Sequence, residues 1–131
     1  MKKISIVIIL LLIVSCNDWD NRLVLLNYSN KKINFYYELM DDNIIIPNLK
    51  NCDKTFLPFI KSNDKDFLRT QNKWDLYLKD HPNKILRVFI IDTDTLSKYG
   101  VCRIFKEHNF IKRLDFSYEE LVKQNWKIEY K

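Results

Sequence analysis

Arg22-Leu23-Val24-Leu25-Leu26-Asn27 and Ile33-Asn34-Phe35-Tyr36-Tyr37-Glu38-Leu39-Met40 decide how this chain is read. In the second segment Ile33, Phe35, Tyr37 and Leu39 fall on one face and Asn34, Tyr36, Glu38 and Met40 on the other, the period of two expected of a strand. The joint between the segments, Tyr28 to Lys32, holds Ser29 and Asn30 and suits a hairpin turn. Working outward, Asp41 to Asn43 reads as a turn and Ile44 to Ile46 as a strand that Pro47 stops or confines to an edge. Residues 47 to 71 show little pattern beyond a strand at Thr55 to Ile60. Ile85 to Asp92, the most apolar stretch after residue 16, reads as a central strand. Phe110 to Phe116 alternates, as do Trp126, Ile128 and Tyr130.

Helices are fewer. Asn72 can cap one in which Trp74, Tyr77 and Leu78 share a face, ending near His81 and Pro82. Asp94 to Tyr99 suggests one helical turn, and Val101 to His108 a helix with Val101, Ile104 and Phe105 on one side. Ser117 and Glu120 have the spacing of a capping box for a helix over Tyr118 to Gln124, with Phe116 and Leu121 as its hydrophobic staple and Asn125 suited to the left-handed position after it. Strands outnumber helices, so the expected fold is a single α+β domain over residues 22 to 131, with a mainly antiparallel sheet and two to four short helices. A β-sandwich with short helical insertions is the alternative.

The N-terminus carries the strongest signal. Met1-Lys2-Lys3 precedes an apolar run from Ile4 to Val14 broken only by Ser5, then Ser15 and Cys16, the layout of a secretory signal. Eleven helical residues span about 16 Å against a hydrocarbon core of about 30 Å, which disfavours a permanent transmembrane span. Ile13-Val14-Ser15-Cys16 resembles the bacterial lipobox. That resemblance implies a diacylglycerol thioether on Cys16 and cleavage before it, so residues 1 to 15 would be a lipoprotein signal peptide and residues 16 to 21 the lipidated cysteine and a short tether. Two acyl chains suffice for stable anchoring.

Removing 15 of 131 residues leaves enough chain for one core. Lys2 and Lys3 leave with the signal, so the formal charge falls from +5 to +3. Basic and acidic residues number 5 and 6 over 17–60, 8 and 6 over 61–100, and 7 and 5 over 101–131, so no basic face is concentrated and nucleic acid is not expected as a partner. Alanine is absent and glycine occurs once, at Gly100, so large aliphatic and aromatic side chains must fill the core. The thiols of Cys52 and Cys102 fit either a disulfide, which an oxidising compartment allows, or two buried free thiols.

Asp94-Thr95-Leu96-Ser97-Lys98-Tyr99 after an apolar strand, Lys112-Arg113-Leu114-Asp115-Phe116-Ser117-Tyr118-Glu119-Glu120-Leu121, and the ending Asn125-Trp126-Lys127-Ile128-Glu129-Tyr130 resemble a group of small, uncharacterised lipoproteins of the Bacteroidetes. The resemblance covers roughly the last 60 residues well and the expected first hairpin loosely. Members often carry Trp and acidic or amide residues where this chain has Val101-Cys102-Arg103. The family implies a cell-envelope address, with the outer membrane favoured, and no activity. Asp18 and Asp20 incompletely match the acidic stretch that resembles a surface-export signal in that lineage. Asp94-Thr95-Leu96 also looks like the lineage's O-glycosylation sequon, which marks Thr95, although the commoner reading of such residues is a plain helix start with Asp94 as N-cap.

Catalytic chemistry finds little footing. His81, Asp92, Asp94, His108 and Cys102 match no compact ligand spacing, and turn, capping and solvated positions explain them individually. One glycine cannot build a phosphate loop, and neither Gly-x-Ser-x-Gly nor Cys-x-x-Cys occurs. No catalytic residue, metal ligand or cofactor is therefore expected. Aromatic residues are plentiful; alternation turns Phe35, Tyr37 and Trp126 inward, leaving Tyr36 and Trp19 to be exposed. The expected partners are the membrane, through lipid on Cys16, and a protein or glycan at its surface. The readings in competition are a non-catalytic interaction module, a small envelope hydrolase or metal-dependent enzyme, and an immunity protein, whose usual acidic face is missing.

Overall fold

The computed structural model describes residues 19–71 and 73–131. The signal segment, Cys16 and the proposed cap Asn72 lie outside the described residues.

Among the described residues, seven strands form two mostly antiparallel sheets, joined by three short helices, as an α+β domain. In chain order these are β1 (Asp20–Asn27), β2 (Ile33–Asp41), β3 (Phe59–Ile60), β4 (Asp64–Thr70), α1 (Trp74–Lys79), β5 (Lys84–Asp92), α2 (Thr93–Glu107), β6 (Lys112–Phe116), α3 (Tyr118–Lys123) and β7 (Lys127–Tyr130). One sheet has the order β4-β1-β7, with β7 parallel to β1; the other has the order β3-β2-β5-β6 and is antiparallel throughout. Leu23, Leu25 and Ile128 of the first sheet share a core with Ile33, Phe35, Leu86, Val88 and Ile90 of the second. The two sheets therefore pack face to face, and α2 covers the outer face of the second, where Phe89, Ile91 and Met40 meet Ile104 and Phe105.

The layering explains the two sequence patterns. β2 has α2 on one side and the other sheet on the other, so Tyr36 and Met40 pack beneath α2 while Ile33, Phe35 and Leu39 enter the inter-sheet core. β5 is central and covered on both faces, so Leu86 to Ile91 are all buried and, apart from Arg87, read as one apolar run.

The expected hairpin is not formed. β1 pairs with β4 and β7, and β2 pairs with β3 and β5, so Tyr28 to Lys32 crosses between sheets instead of turning within one. Asn27 explains why. Its fully buried amide donates to the carbonyls of Lys31 (2.8 Å), Lys61 (3.0 Å) and Ile60 (3.3 Å) and accepts from the Ser29 hydroxyl at 2.6 Å, tying the end of β1 to the β3 end of the other sheet. Asn27→Ala should lose about 2–3 kcal/mol in urea unfolding, since buried carbonyls would lose their donor. A loss below about 0.5 kcal/mol would show that the crossover does not depend on it.

Other expectations shift for physical reasons. Ile44 and Ile45 are exposed and form no strand. Only Phe59–Ile60 of the expected Thr55–Ile60 strand pairs. β4 was unreadable because it is an edge strand with charged Asp64, Lys65, Asp66 and Arg69, contributing Leu68 to the core.

α1 begins after Lys73, with Trp74 and Leu78 buried. Asp92, not Asp94, caps α2, because its carboxylate at the end of β5 accepts from the Thr95 amide at 2.9 Å. The two helical segments expected on either side of Gly100 are both present, joined at a kink where Gly100 has φ 73° and ψ 164°. That conformation suits only glycine, so Gly100→Ala should lower stability by about 1–3 kcal/mol in thermal melts although open space surrounds the position. The Ser117–Glu120 capping box is formed in both directions. α3 closes in a Schellman turn, with Asn125 left-handed (φ 52°) and the Trp126 amide donating to Leu121 O at 2.8 Å.

Candidate functional site

The domain offers two candidate surfaces: a cleft beside α2 and the end at which β1 begins. Asn51 adopts a left-handed conformation and starts a 3-10 turn, Cys52–Lys54, that lies against α2. Cys52 is joined to Cys102 by a disulfide with the Cα atoms 5.1 Å apart, inside the usual range for a bridge. Two half-buried thiols in separate elements are thus one covalent link, which fixes the loop to the α2 segment after the Gly100 kink. Asp53 Oδ1 lies 2.8 Å from Cys102 Sγ. A bridged sulfur carries no proton, so this is a carboxylate packed against the bridge, and reduction would make the Cys102 thiol a donor to it.

Between loop and helix is a cleft of about 390 Å³, lined by Phe56, Leu57, Leu96, Tyr99 and Val101 with the disulfide alongside. Phe56 is 81% exposed at its rim. Lys98 Nζ and Arg103 Cζ sit 5.0 and 4.9 Å from the Tyr99 ring centre. Arg103 is also paired with Glu107 and Asp53 lines the same cleft, so the surface offers Phe56 and Tyr99 to an apolar or aromatic side chain without a marked preference of charge. The expectation that Tyr36 is exposed is corrected: its ring packs edge-on to Phe105 at 5.5 Å and its hydroxyl donates to Glu38 at 2.8 Å, and burial raises its pKa. Trp19 is 46% exposed, as expected. Phe56 was missed because it falls in the patternless stretch, and the pairing of Cys52 with Cys102 was the only signal that could have placed it near α2.

At the start of β1, Asp20 is a structural residue instead of part of a free tether. Its carboxylate accepts from Arg22 Nε (3.0 Å) and from the Trp74 amide (2.9 Å). Arg22 also reaches Asp75 at 2.7 Å, and Tyr118 donates to Asp75 at 3.0 Å, so β1, α1 and α3 share one network. The Arg22 guanidinium holds the Asp20 carboxyl down at about 2 against the opposing effect of burial, helped by the Trp74 and Arg22 amides; the same cation lowers Asp75. A lowered pKa contributes stability that is complete above the ordinary value near 3.8 and is lost as pH falls toward 2. Asp20→Asn should accordingly flatten the fall in stability between these pH values in acid titrations followed by circular dichroism; an unchanged acid limb would contradict the assignment.

The remaining sequence candidates stay apart. His81 follows α1, its ring Nδ1 2.9 Å from Tyr77 O, while Asp92 stands at the far end of β5, about 26 Å along the strand. His108 takes the left-handed position closing α2 and stacks on Phe110. Asp92 is held by Thr95, whose amide and hydroxyl lower its pKa, and Asp94 is exposed. Thr95 is half-buried in the first turn of α2, its hydroxyl donating to Asp92 at 3.1 Å. Among the described residues, the only three or more metal-ligating side chains that converge are Cys52, Asp53 and Cys102. In the bridged state the two sulfurs are not thiolates and offer no metal site. Among the same residues no helix is long and apolar enough to cross a membrane. Compared with protein-family models, curated proteins and solved structures, the chain shows no match.

Proposed function

We propose that this chain is an envelope lipoprotein of the small Bacteroidetes type that its motifs resemble, anchored in the outer membrane through lipid on Cys16. Its folded domain acts as a non-catalytic interaction module for a protein or glycan at the membrane surface. The observation that carries the reading is Ile13-Val14-Ser15-Cys16 placed directly behind a basic and apolar leader. The cleft holding Phe56 and Tyr99 supports the binding role, because an aromatic side chain 81% exposed at the rim of a groove lined by apolar Leu57, Leu96 and Val101 and polar Asn34 and Asp53 offers a partner both kinds of contact. The disulfide supports an exported location, since such bridges persist in oxidising compartments.

Protease shaving of intact cells, beside a Cys16→Ala control, tests anchor and topology together. Wild-type chain should sediment with membranes and the substituted chain should not; a Cys16→Ala chain that remains with membranes contradicts the anchor. For the binding role, a photo-crosslinking residue at position 56 should capture a discrete partner that one at exposed Lys106 does not. Equal capture at both positions would remove the cleft from consideration.

A further inference from the structure

We propose that the end of the domain formed by Trp19, α1 and α3 rests on the membrane, with phospholipid headgroups as its partner. The proposal deepens the lipid-anchor reading of Cys16 and rests on it. β1 begins at Asp20, so the four steps from Cys16 span at most about 14 Å. The elements next to that point are fixed to it: Asp20 binds the Trp74 amide, Arg22 binds Asp75, and Tyr118 and Trp126 pack beside them, with Arg22 Cζ 4.7 Å from the Trp126 ring centre. A lipid on Cys16 therefore brings α1 and α3 close to the bilayer.

The chemistry of this end fits that position. Trp19, Leu76 and Val122 are apolar side chains left 46%, 54% and 44% exposed. Lys73 immediately precedes α1, Leu76 and Lys79 lie three residues apart on it, and Lys123 ends α3. Lys73 and Lys123 make no ion pair among the described residues, and Lys79 lies over the Tyr118 ring. Of the acidic groups here, Asp20 and Asp75 share Arg22, while Glu119, Glu120 and Asp80 stand against the three lysines, so the face is close to balanced in charge and its apolar side chains carry the fit to the headgroup boundary. Indole and aliphatic side chains favour the headgroup boundary, and lysines beside them bury their stems while meeting anionic phosphates. The Asn27 end of β1 then stands about 23 Å further out, which turns Asp92, Thr95 and the β3 end away from the lipid.

The test is a lysine footprint of the full lipidated chain in vesicles of phosphatidylethanolamine and phosphatidylglycerol, read residue by residue after acylation with a water-soluble reagent. Compared with the Cys16→Ala chain in solution, Lys73, Lys79 and Lys123 should react at least about threefold more slowly, while Lys31, Lys61 and Lys131 should react unchanged. Brominated acyl chains should quench a tryptophan signal that Trp19→Phe removes. Chain that sediments with the vesicles yet reacts equally at both ends, or is protected at Lys31, Lys61 and Lys131, overturns the orientation while leaving the anchor standing. Protection of the three lysines in cells but not in protein-free vesicles assigns the face to a protein and overturns the proposal. Chain that does not sediment removes the anchor reading, and this one with it.

Discussion

Asp115→Ala should destabilise the domain by about 3–5 kcal/mol, and the cause lies in the residue opposite it. Arg87 is 1% exposed in the central strand β5, and in the β5–β6 register it stands directly across from Asp115. The pair is bidentate, with Nε to Oδ1 at 2.8 Å and Nη2 to Oδ2 at 3.0 Å. Asp115 is the only carboxylate bonded to this guanidinium among the described residues; Glu38 stands across from Arg87 on β2 without bonding it, Nη2 is also 3.5 Å from Asp42 O, and Nη1 has no partner. Removing Asp115 strands a charge in the interior, which costs far more than the pair itself contributes. Chemical denaturation of Asp115→Ala and of the double variant Arg87→Met with Asp115→Leu separates the two quantities. The double variant should recover most of the loss, because an apolar pair of similar volume avoids the stranded charge. A single variant within about 1 kcal/mol of wild type would show that Arg87 reaches water or another acceptor.

Opening the Cys52–Cys102 bridge should cost about 4 kcal/mol, from a sequence separation of 50 residues and the chain entropy that the link removes from the unfolded state. For a domain of this size that corresponds to a fall in Tm of about 15 °C, measurable by calorimetry with and without reductant. Cys52→Ser with Cys102→Ser should reproduce the reduced protein. The loop from Asn51 to Leu57 should respond more than the sheets, because it is held to α2 through the bridge. Hydrogen exchange at Phe56 and Tyr99 that rises on reduction while β5 stays protected would fit. A reduced protein melting within about 3 °C of the oxidised one would show that the cleft does not depend on the link.

Legibility followed the range of the interactions. The alternation in β2, the two-sided burial of β5 and the reciprocal bonds of Ser117 and Glu120 depend on residues a few positions apart, and these appear in the structure as the sequence suggests. The crossover at Tyr28 to Lys32 did not, because Ser29 and Asn30 suit any turn, and what selects the crossover is Asn27 bonding to carbonyls 33 and 34 residues away. Asp20 looked like tether for the same reason, since its partner amide belongs to Trp74. β4 was hidden by its charges: an edge strand with one fully buried side chain has no apolar run to display. Phe56 lies beside α2 through a covalent bond whose existence no spacing announces.

The central claim is a lipid on Cys16. Mass spectrometry of the N-terminal fragment from membrane-extracted protein tests it most directly. The account predicts a chain beginning at Cys16 and carrying a thioether-linked diacylglycerol. A chain beginning at Met1, or one whose Cys16 thiol is free, would contradict it.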